Sequence, residues 1–306
     1  MAKDLKELSK LRDSMSFLYI EHAVIEQDDS SIVFLQEDGR TPVPVSSLTC
    51  LLLGPGTKVT HAAIRTLADN GCMTVWCGER LNRFYASGQG ETRSAGNLLL
   101  QARLCMDQEA HVQVVRRMYE IRFPKLPDQN LTISQIRGME GIRVREAYRL
   151  ASKQTGVRWT SRNYQTTDWD ASDPVNRALS MGNAILYGVC HAAIVSLGYS
   201  PGLGFVHTGK MLSFVYDIAD LYKADTTIPA AFEAVKEAPE DLGKAVRIRC
   251  RQHFVRAGVL KRIANDIAWI FDVPLSEEQQ NAEAVGDLWS EDGDIDGGVN
   301  YAREDE

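Results

Sequence analysis

The apolar pattern of the chain changes its period once, near Gly96, and that change constrains the fold more than any other feature. Before it, residues 17 to 90 alternate short β-branched or aromatic runs with turn residues: FLYI, SIVFL, TPVPV, LTCLLL, MTVWC and NRFYAS. Such runs bounded by Gly, Pro, Asn and Asp predict the strands of a small sheet domain. One helix interrupts them, with Thr60 as N-cap, HAAIRTLAD as body and Asn70-Gly71 as a left-handed stop. After Gly96 the apolar residues recur at helical spacing. NLLLQARLCMDQEAHVQVVRRMYEIRF predicts one long helix ended by FPKLP, and SQIRGMEGIRVREAYRLASKQTG a second ending at Gly156. Asp173-Pro174 supplies the N-cap and first position of an apolar helix that stops at Gly198. Further helices are expected in SFVYDIADLY, in IPAAFEAV and in the basic stretch that finishes near Phe271. The expected class is α+β with two domains. An N-terminal β-rich domain with one short helix covers 1–92, a larger all-α domain covers 93–272, and an acidic, disordered tail covers 273–306.

At 306 residues the chain is long enough to bury two modest cores. Charges run through MAKDLKELSKLRDSMSF, so no secretory signal is expected there. The most apolar segment, Ala178 to Gly198, carries Asn183, His191 and glycines and reads as a buried core helix, so the cytoplasm is expected and a membrane is not. Cys50, Cys72, Cys77, Cys105, Cys190 and Cys250 are scattered without C-x-x-C pairing, as buried reduced thiols would be. Neither phosphate-binding glycine pattern occurs, and GPGTK at Gly54 to Lys58 fits neither, which disfavours a nucleotide-driven reaction. The net charge of −7 belongs to the tail, where eleven acidic side chains face the single Arg303. The first 272 residues hold 33 basic and 30 acidic side chains, and Gly243 to Arg262 has seven Lys or Arg and no acid. That stretch is a local anion-binding signal.

Three residues sit oddly in this scheme. At about 100° per residue, SFVYDIADLYK places Phe214, Val215, Ile218, Ala219, Leu221 and Tyr222 on one face. Tyr216, Asp217, Asp220 and Lys223 share the other, either as a solvated face or as part of a site. Glu140 shares its stripe with Val144, Ala147 and Ala151, where a carboxylate must be paired, protonated or bound to a cation. An ion pair to Arg143 at i+3 is the plainest account. Gly138 and Gly141, however, each cost up to about 1 kcal/mol inside a helix and suggest close approach by something other than a side chain. His207 lies in the glycine-rich GFVHTGK. Glu, His and Asp brought together would form a mixed oxygen and nitrogen site suited to Mg²⁺ or Mn²⁺.

Together, HTGKMLSFVYDIAD, RGMEG about seventy residues earlier, and FYASG before the helical half resemble the CRISPR-associated spacer-acquisition integrases, the Cas-one family, in its type I-E form. PGTKVTHAAIR and AILYGV agree, and the resemblance spans roughly residues 14 to 272. It implies metal ligands at Glu140, His207 and Asp220, with Asp217 beside them supporting the ligands. It implies DNA contacts at Lys58, Arg65, Arg83, Arg137, Arg145, Arg162, Tyr164, Tyr187, Lys210, Tyr216, Lys244 and Arg247, joined by Lys223 and Arg251. It also implies a homodimer, and two such dimers bridged by one dimer of a small ferredoxin-like partner, acting on double-stranded and branched DNA. The first hairpin offers Tyr19 or His22 where relatives place a tyrosine against the duplex end, so that role stays unassigned.

The implied reaction is transesterification, in which the 3′-OH of a foreign DNA fragment attacks a phosphodiester at the edge of an array repeat. It needs no ATP. Two other readings use the same residues: a stand-alone structure-specific DNA nuclease, and a non-catalytic DNA scaffold in which Glu140 only pairs with Arg143. On the basic stretch, Lys244, Arg247 and Arg251 share a helical face while Val246, Phe254 and Val255 turn inward.

Overall fold

A computed structural model describes residues 17–37, 39–48, 50–79, 84–88, 90, 95–123, 128, 130–162, 173–237 and 240–272. Arg83, Tyr164 and the acidic tail lie outside the described residues. The N-terminal region holds β1 (Phe17–Ile20), β2 (Val24–Asp28), β3 (Ser31–Gln36), β4 (Gly39–Val43), β5 (Cys50–Leu53), β6 (Lys58–Val59), α1 (His61–Asp69), β7 (Met73–Cys77) and β8 (Phe84–Gly88). These strands form two four-stranded sheets, ordered β1-β5-β7-β8 and β4-β3-β2-β6. The expectation missed β2 and β6. Only Ile25 of β2 is buried, so the segment is a strand because it pairs with β3 and not through a pattern of its own.

The apolar run of β5 is buried on both sides, as a central strand with parallel neighbours requires. Leu51 and Leu53 pack with Ile25, Ile32, Phe34 and the α1 residues Ala63 and Leu67. Cys50 and Leu52 join Met73, Val75 and Cys77 against Ala192 and Val195 of the helical region. Thr60 caps α1 by accepting the Ala63 N–H, and Gly71 takes a φ of 65° just beyond the helix.

The helical region comprises α2 (Gly96–Met106), α3 (Gln108–Glu120), α4 (Ile133–Thr155), α5 (Pro174–Ser196), α6 (Ser213–Asp220), α7 (Thr227–Lys236), α8 (Leu242–Arg256) and α9 (Val259–Phe271). The long helix expected before FPKLP is two helices. Asp107 adopts φ −80° and ψ 118°, and its Oδ1 accepts the Ala110 N–H at 2.9 Å, so it ends α2 and caps α3. A short carboxylate that can take a backbone N–H in place of a helical carbonyl breaks a helix that periodicity alone would run through. α4 starts from a Thr132/Gln135 capping box and ends at Gly156 with φ 75°. Asp173 caps α5 through the Asn176 N–H. Among the described residues, α5 is long and apolar enough to cross a membrane. It is mostly buried inside the bundle: its first half packs on Phe232 of α7 and Val246 of α8, its second half on α3, α6 and α9.

Candidate functional site

α6 and the loop before it build the site around Asp217. This carboxylate has no exposed surface. Its Oδ2 accepts the backbone N–H groups of Phe205 at 2.6 Å and Val206 at 3.1 Å, and its Oδ1 accepts that of His207 at 2.9 Å. These backbone donors offset the desolvation of the buried carboxylate, which in turn pins the loop. Of the two readings of this face, a solvated one does not hold at Asp217: the loop folds over it and supplies the donors. The loop can approach because Gly204 lacks a side chain. A Cβ there would collide with the His207 carbonyl and would meet the Ser213 Cβ at 2.6 Å.

Asp217 Oδ1 also lies 2.7 Å from His207 Nδ1. The carboxylate only accepts, so Nδ1 carries the hydrogen and the neutral ring keeps its lone pair on Nε2. Nε2 points to Asp220, 4.0 Å from Oδ2. The hydrogen bond that Nδ1 donates to Asp217 raises the His207 pKa above its ordinary 6.5, against partial burial. Asp220 in turn holds Lys223 at 2.6 Å. Lys223 donates to the Tyr187 hydroxyl at 2.8 Å and lies over the Tyr187 ring. Burial is the largest single influence on the Lys223 pKa and lowers it, but the charge of Asp220 and the Tyr187 hydroxyl together outweigh it and the net shift is upward. Tyr187 meets Tyr216 edge-on, and Tyr216 meets His207 edge-on.

Glu140 is buried on α4 and is held by Arg143, Nε to Oε2 at 2.9 Å and Nη2 to Oε1 at 3.0 Å. Arg122, absent from the sequence expectations, lies 3.6 Å from Oε1 with its side chain 4% exposed. Its guanidinium lies over the Tyr119 ring, and its Nε and Nη2 are buried without a hydrogen-bond partner. Arg122 follows α3 in a connecting segment, and only its unusual burial marks it. The close approach expected at the two glycines is not found: a Cβ at Gly138 would meet nothing within 4 Å, and one at Gly141 only Arg145 Nη1 at 3.9 Å.

The fold thus brings His207, Asp217 and Asp220 together. Among the described residues no three His, Cys, Asp or Glu side chains form a group ready to hold a metal ion. His207 Nε2 and Asp220 Oδ2 fit a divalent ion directly, since 4.0 Å lies within the span of two metal–ligand bonds of about 2.1–2.2 Å. Both oxygens of Glu140 are instead taken by Arg143. α4 lies against the short turn Lys223–Asp225 that follows α6, and Asp225 acts electrostatically on Arg143.

The expected DNA contacts divide by surroundings. Lys58, Arg65, Arg137, Arg145, Lys210, Lys244 and Arg251 are exposed, and Tyr187 and Tyr216 half-buried. Arg162 donates to the carbonyl and Oδ1 of Asn176 and to Ser180 Oγ, at 2.8 to 3.0 Å, and so braces the start of α5. Arg247 lies 3.6 Å from Glu79 with 22% of its side chain exposed, linking α8 to the N-terminal region. The basic stretch has no acid of its own, but α7 provides Glu233 at 3.0 Å from His253, and Glu237 at its C-cap lies beside Arg249. Val255, expected to turn inward, is 75% exposed. It lies nine residues, or about 180°, around the helix from buried Val246. Burial pushes the Cys105 thiol up to about 11 and the Cys77 and Cys250 thiols up to about 12, which leaves them unreactive.

The model of the family CRISPR associated protein Cas1 matches residues 17–126 and 120–245. The chain belongs to the Cas1 family. The CRISPR-associated endonuclease Cas1 2 of Thermus thermophilus is 50% identical over 309 residues, covering 99% of this chain and 95% of its own length. The Cas1 endonuclease of Escherichia coli K12 is 43% identical over 88% of each chain. A crystal structure described as a TtCas1–DNA complex superposes with a TM-score of 0.79 at 52% identity, covering 85% of this chain and 98% of that one. A casposase bound to an integration product shares the fold at a TM-score of 0.57 and 14% identity, over 88% of this chain and 99% of that one. This Cas1 chain thus has the family's α+β architecture, a β-sheet region followed by a larger helical part, and its named relatives are CRISPR-associated endonucleases.

Proposed function

We propose that this Cas1 chain is a divalent-metal-dependent DNA integrase and endonuclease of CRISPR adaptation, of the type I-E form. The observation that carries the reading is the imidazole of His207, fixed by buried Asp217 so that its Nε2 lone pair faces Asp220. An orienting carboxylate behind a histidine of this kind is a recurrent feature of metal sites. Glu140, His207 and Asp220 would hold Mg²⁺ or Mn²⁺, and Asp217 would set the orientation of His207. A bound divalent ion supplies charge neutralisation and polarisation of the scissile phosphate. Exposed Arg137, Arg145, Lys210, Lys244 and Arg251 are suited to phosphates flanking the reacting one, positioning the duplex without reading its sequence. In strand transfer, a bond forms between the attacking 3′ oxygen and phosphorus as the bond to the leaving 3′ oxygen of the array breaks. One phosphodiester replaces another, and water in place of the 3′-OH gives hydrolysis of branched DNA. The working assembly is a homodimer, two of which flank one dimer of the small ferredoxin-like partner.

The decisive assay mixes a duplex bearing 3′-OH ends with a supercoiled plasmid carrying an array repeat, with and without the small partner, in Mg²⁺ or in EDTA. Joined product that needs both metal and partner is the expected result. Cleavage of branched DNA without any joining would assign a stand-alone nuclease instead. DNA binding without chemistry would leave a scaffold.

A further inference from the structure

Each of the two carboxylates that need a metal partner already holds a basic side chain three residues further along the chain. Glu140 is bound at both oxygens by Arg143, and Asp220 is bound by Lys223. A spacing of three residues in helical turns puts the cation on the same side as its carboxylate. The pairs are not solvent-screened surface contacts: the side chains of Arg143, Lys223 and Asp220 are 22 to 25% exposed and that of Glu140 is 11% exposed. The Arg143 guanidinium on both oxygens of Glu140 uses the lone pairs that a divalent ion would need, whereas the Lys223 ammonium on Oδ1 of Asp220 leaves Oδ2 open but sets a positive charge beside it, so each occupancy opposes a divalent ion.

The third cation nearby behaves differently. Arg122 is 4% exposed and lies over the Tyr119 ring, so it has nowhere to go. Arg143 keeps an exposed edge, and Lys223 already has a second resting place on the hydroxyl and ring of Tyr187. Arg143 and Lys223 can therefore leave their carboxylates, while Arg122 stays beside Glu140 as a fixed positive charge that opposes a divalent ion until an anion enters.

We infer that Arg143 and Lys223 are exchangeable counter-cations: without DNA they occupy Glu140 and Asp220, and a DNA phosphate draws them off, so that metal and DNA bind cooperatively. This rests on the proposed metal centre. Cooperativity of this kind is reciprocal, because the phosphate binds better to cations that the metal has released. It confines a fully loaded, reactive centre to the DNA-bound protein.

The test measures Mn²⁺ affinity of the full-length chain, by loss of the free-ion EPR signal, with and without a duplex ending in 3′-dideoxy nucleotides, which cannot react. In the wild-type protein a saturating duplex should tighten Mn²⁺ binding by about tenfold or more. Without duplex, Arg143→Gln and Lys223→Gln should each bind Mn²⁺ about tenfold more tightly than wild type and lose most of the gain from duplex. Lys223→Arg, which keeps the cation, should behave as wild type. Unchanged or weaker Mn²⁺ binding in both glutamine variants overturns the inference. So does a wild-type affinity that duplex leaves unaltered, whether or not the variants fold. The metal centre itself fails separately, if Glu140→Gln, His207→Gln and Asp220→Asn all bind Mn²⁺ as wild type does.

Discussion

The loop leading into α6 and the helix α8 both carry charge at the edge of the helical bundle, and the fold treats them in opposite ways. At α6 a single carboxylate, Asp217, loses all exposure and is matched by three backbone donors and an imidazole. At α8 the basic side chains stay at or near solvent, and several face acids from other elements, Glu237 and Glu79 among them. The first arrangement fixes geometry to within a hydrogen bond. The second sets only a field. Chemistry that requires an atom in one place can be built on the first, and electrostatic guidance of a polyanion needs no more than the second.

The largest effect should come from the α6 side of this contrast and its partner on α4. Glu140→Ala, His207→Ala and Asp220→Ala should each abolish strand transfer, while DNA affinity measured in EDTA weakens by no more than about twofold, since the lost contacts act in the transition state. Wild-type integration by any of the three would remove that residue from the site.

Next in size is the stability contributed by Asp217. Asp217→Ala leaves three backbone N–H groups and His207 without their acceptor, and should lower unfolding free energy by about 3–5 kcal/mol in urea titration. Asp217→Asn keeps a carbonyl oxygen and should lose less stability and retain partial strand transfer. Equal stability of the alanine variant and wild type would show that the buried carboxylate is not what holds the loop.

His191 sharpens the contrast from another direction, as a buried polar group without a charge partner to keep it ionised. It stacks on Phe84 at 3.6 Å, where α5 meets the N-terminal sheet, and burial lowers its pKa to about 4. The folded pKa lies below the unfolded value near 6.5, so its contribution is complete above about pH 6.5 and fades as pH falls towards about 4. The loss across that window should reach up to about 3 kcal/mol. Carboxylates titrate nearby, so the measurement is the difference in pH slope between wild type and His191→Leu, and identical slopes would refute the assignment.

On α8 the expected effects are smaller and separable. Replacing exposed Lys244 and Arg251 together with alanine should flatten the plot of log K against log[salt] for duplex binding by roughly 2 units without changing base preference. Arg247→Ala should alter the slope far less, because Glu79 already engages that guanidinium. A larger slope change from Arg247 than from the other two would invert the reading of this face.

Much of the helix pattern was legible because its signals are local. Thr60 with Gly71, and Asp173 with Pro174, bound their helices with backbone groups a few residues away, and Gly156 closes α4 through its own left-handed conformation. The apolar face read on SFVYDIADLYK is the buried face of α6, since Phe214, Val215, Ile218 and Ala219 follow the helical period. The i+3 pairing of Glu140 and Arg143 was equally readable, being set by a single turn of helix. Asp107 offered a cap signal of the same local kind, but the apolar period on either side of it hid the break.

The tertiary structure decided what each charge faces. Nothing near Asp217 in sequence announces three donors from residues 205–207, nothing near Glu140 announces Arg122, and nothing within the acid-free stretch announces Glu237 or Glu79. Sequence by itself determined where helices begin and end and which of their faces are apolar, because backbone hydrogen bonds and helical period act over a few residues. Whether a charged side chain is solvated, buried with donors or paired with an opposite charge depends on a segment that the fold brings in from far along the chain, and local pattern carries no record of it.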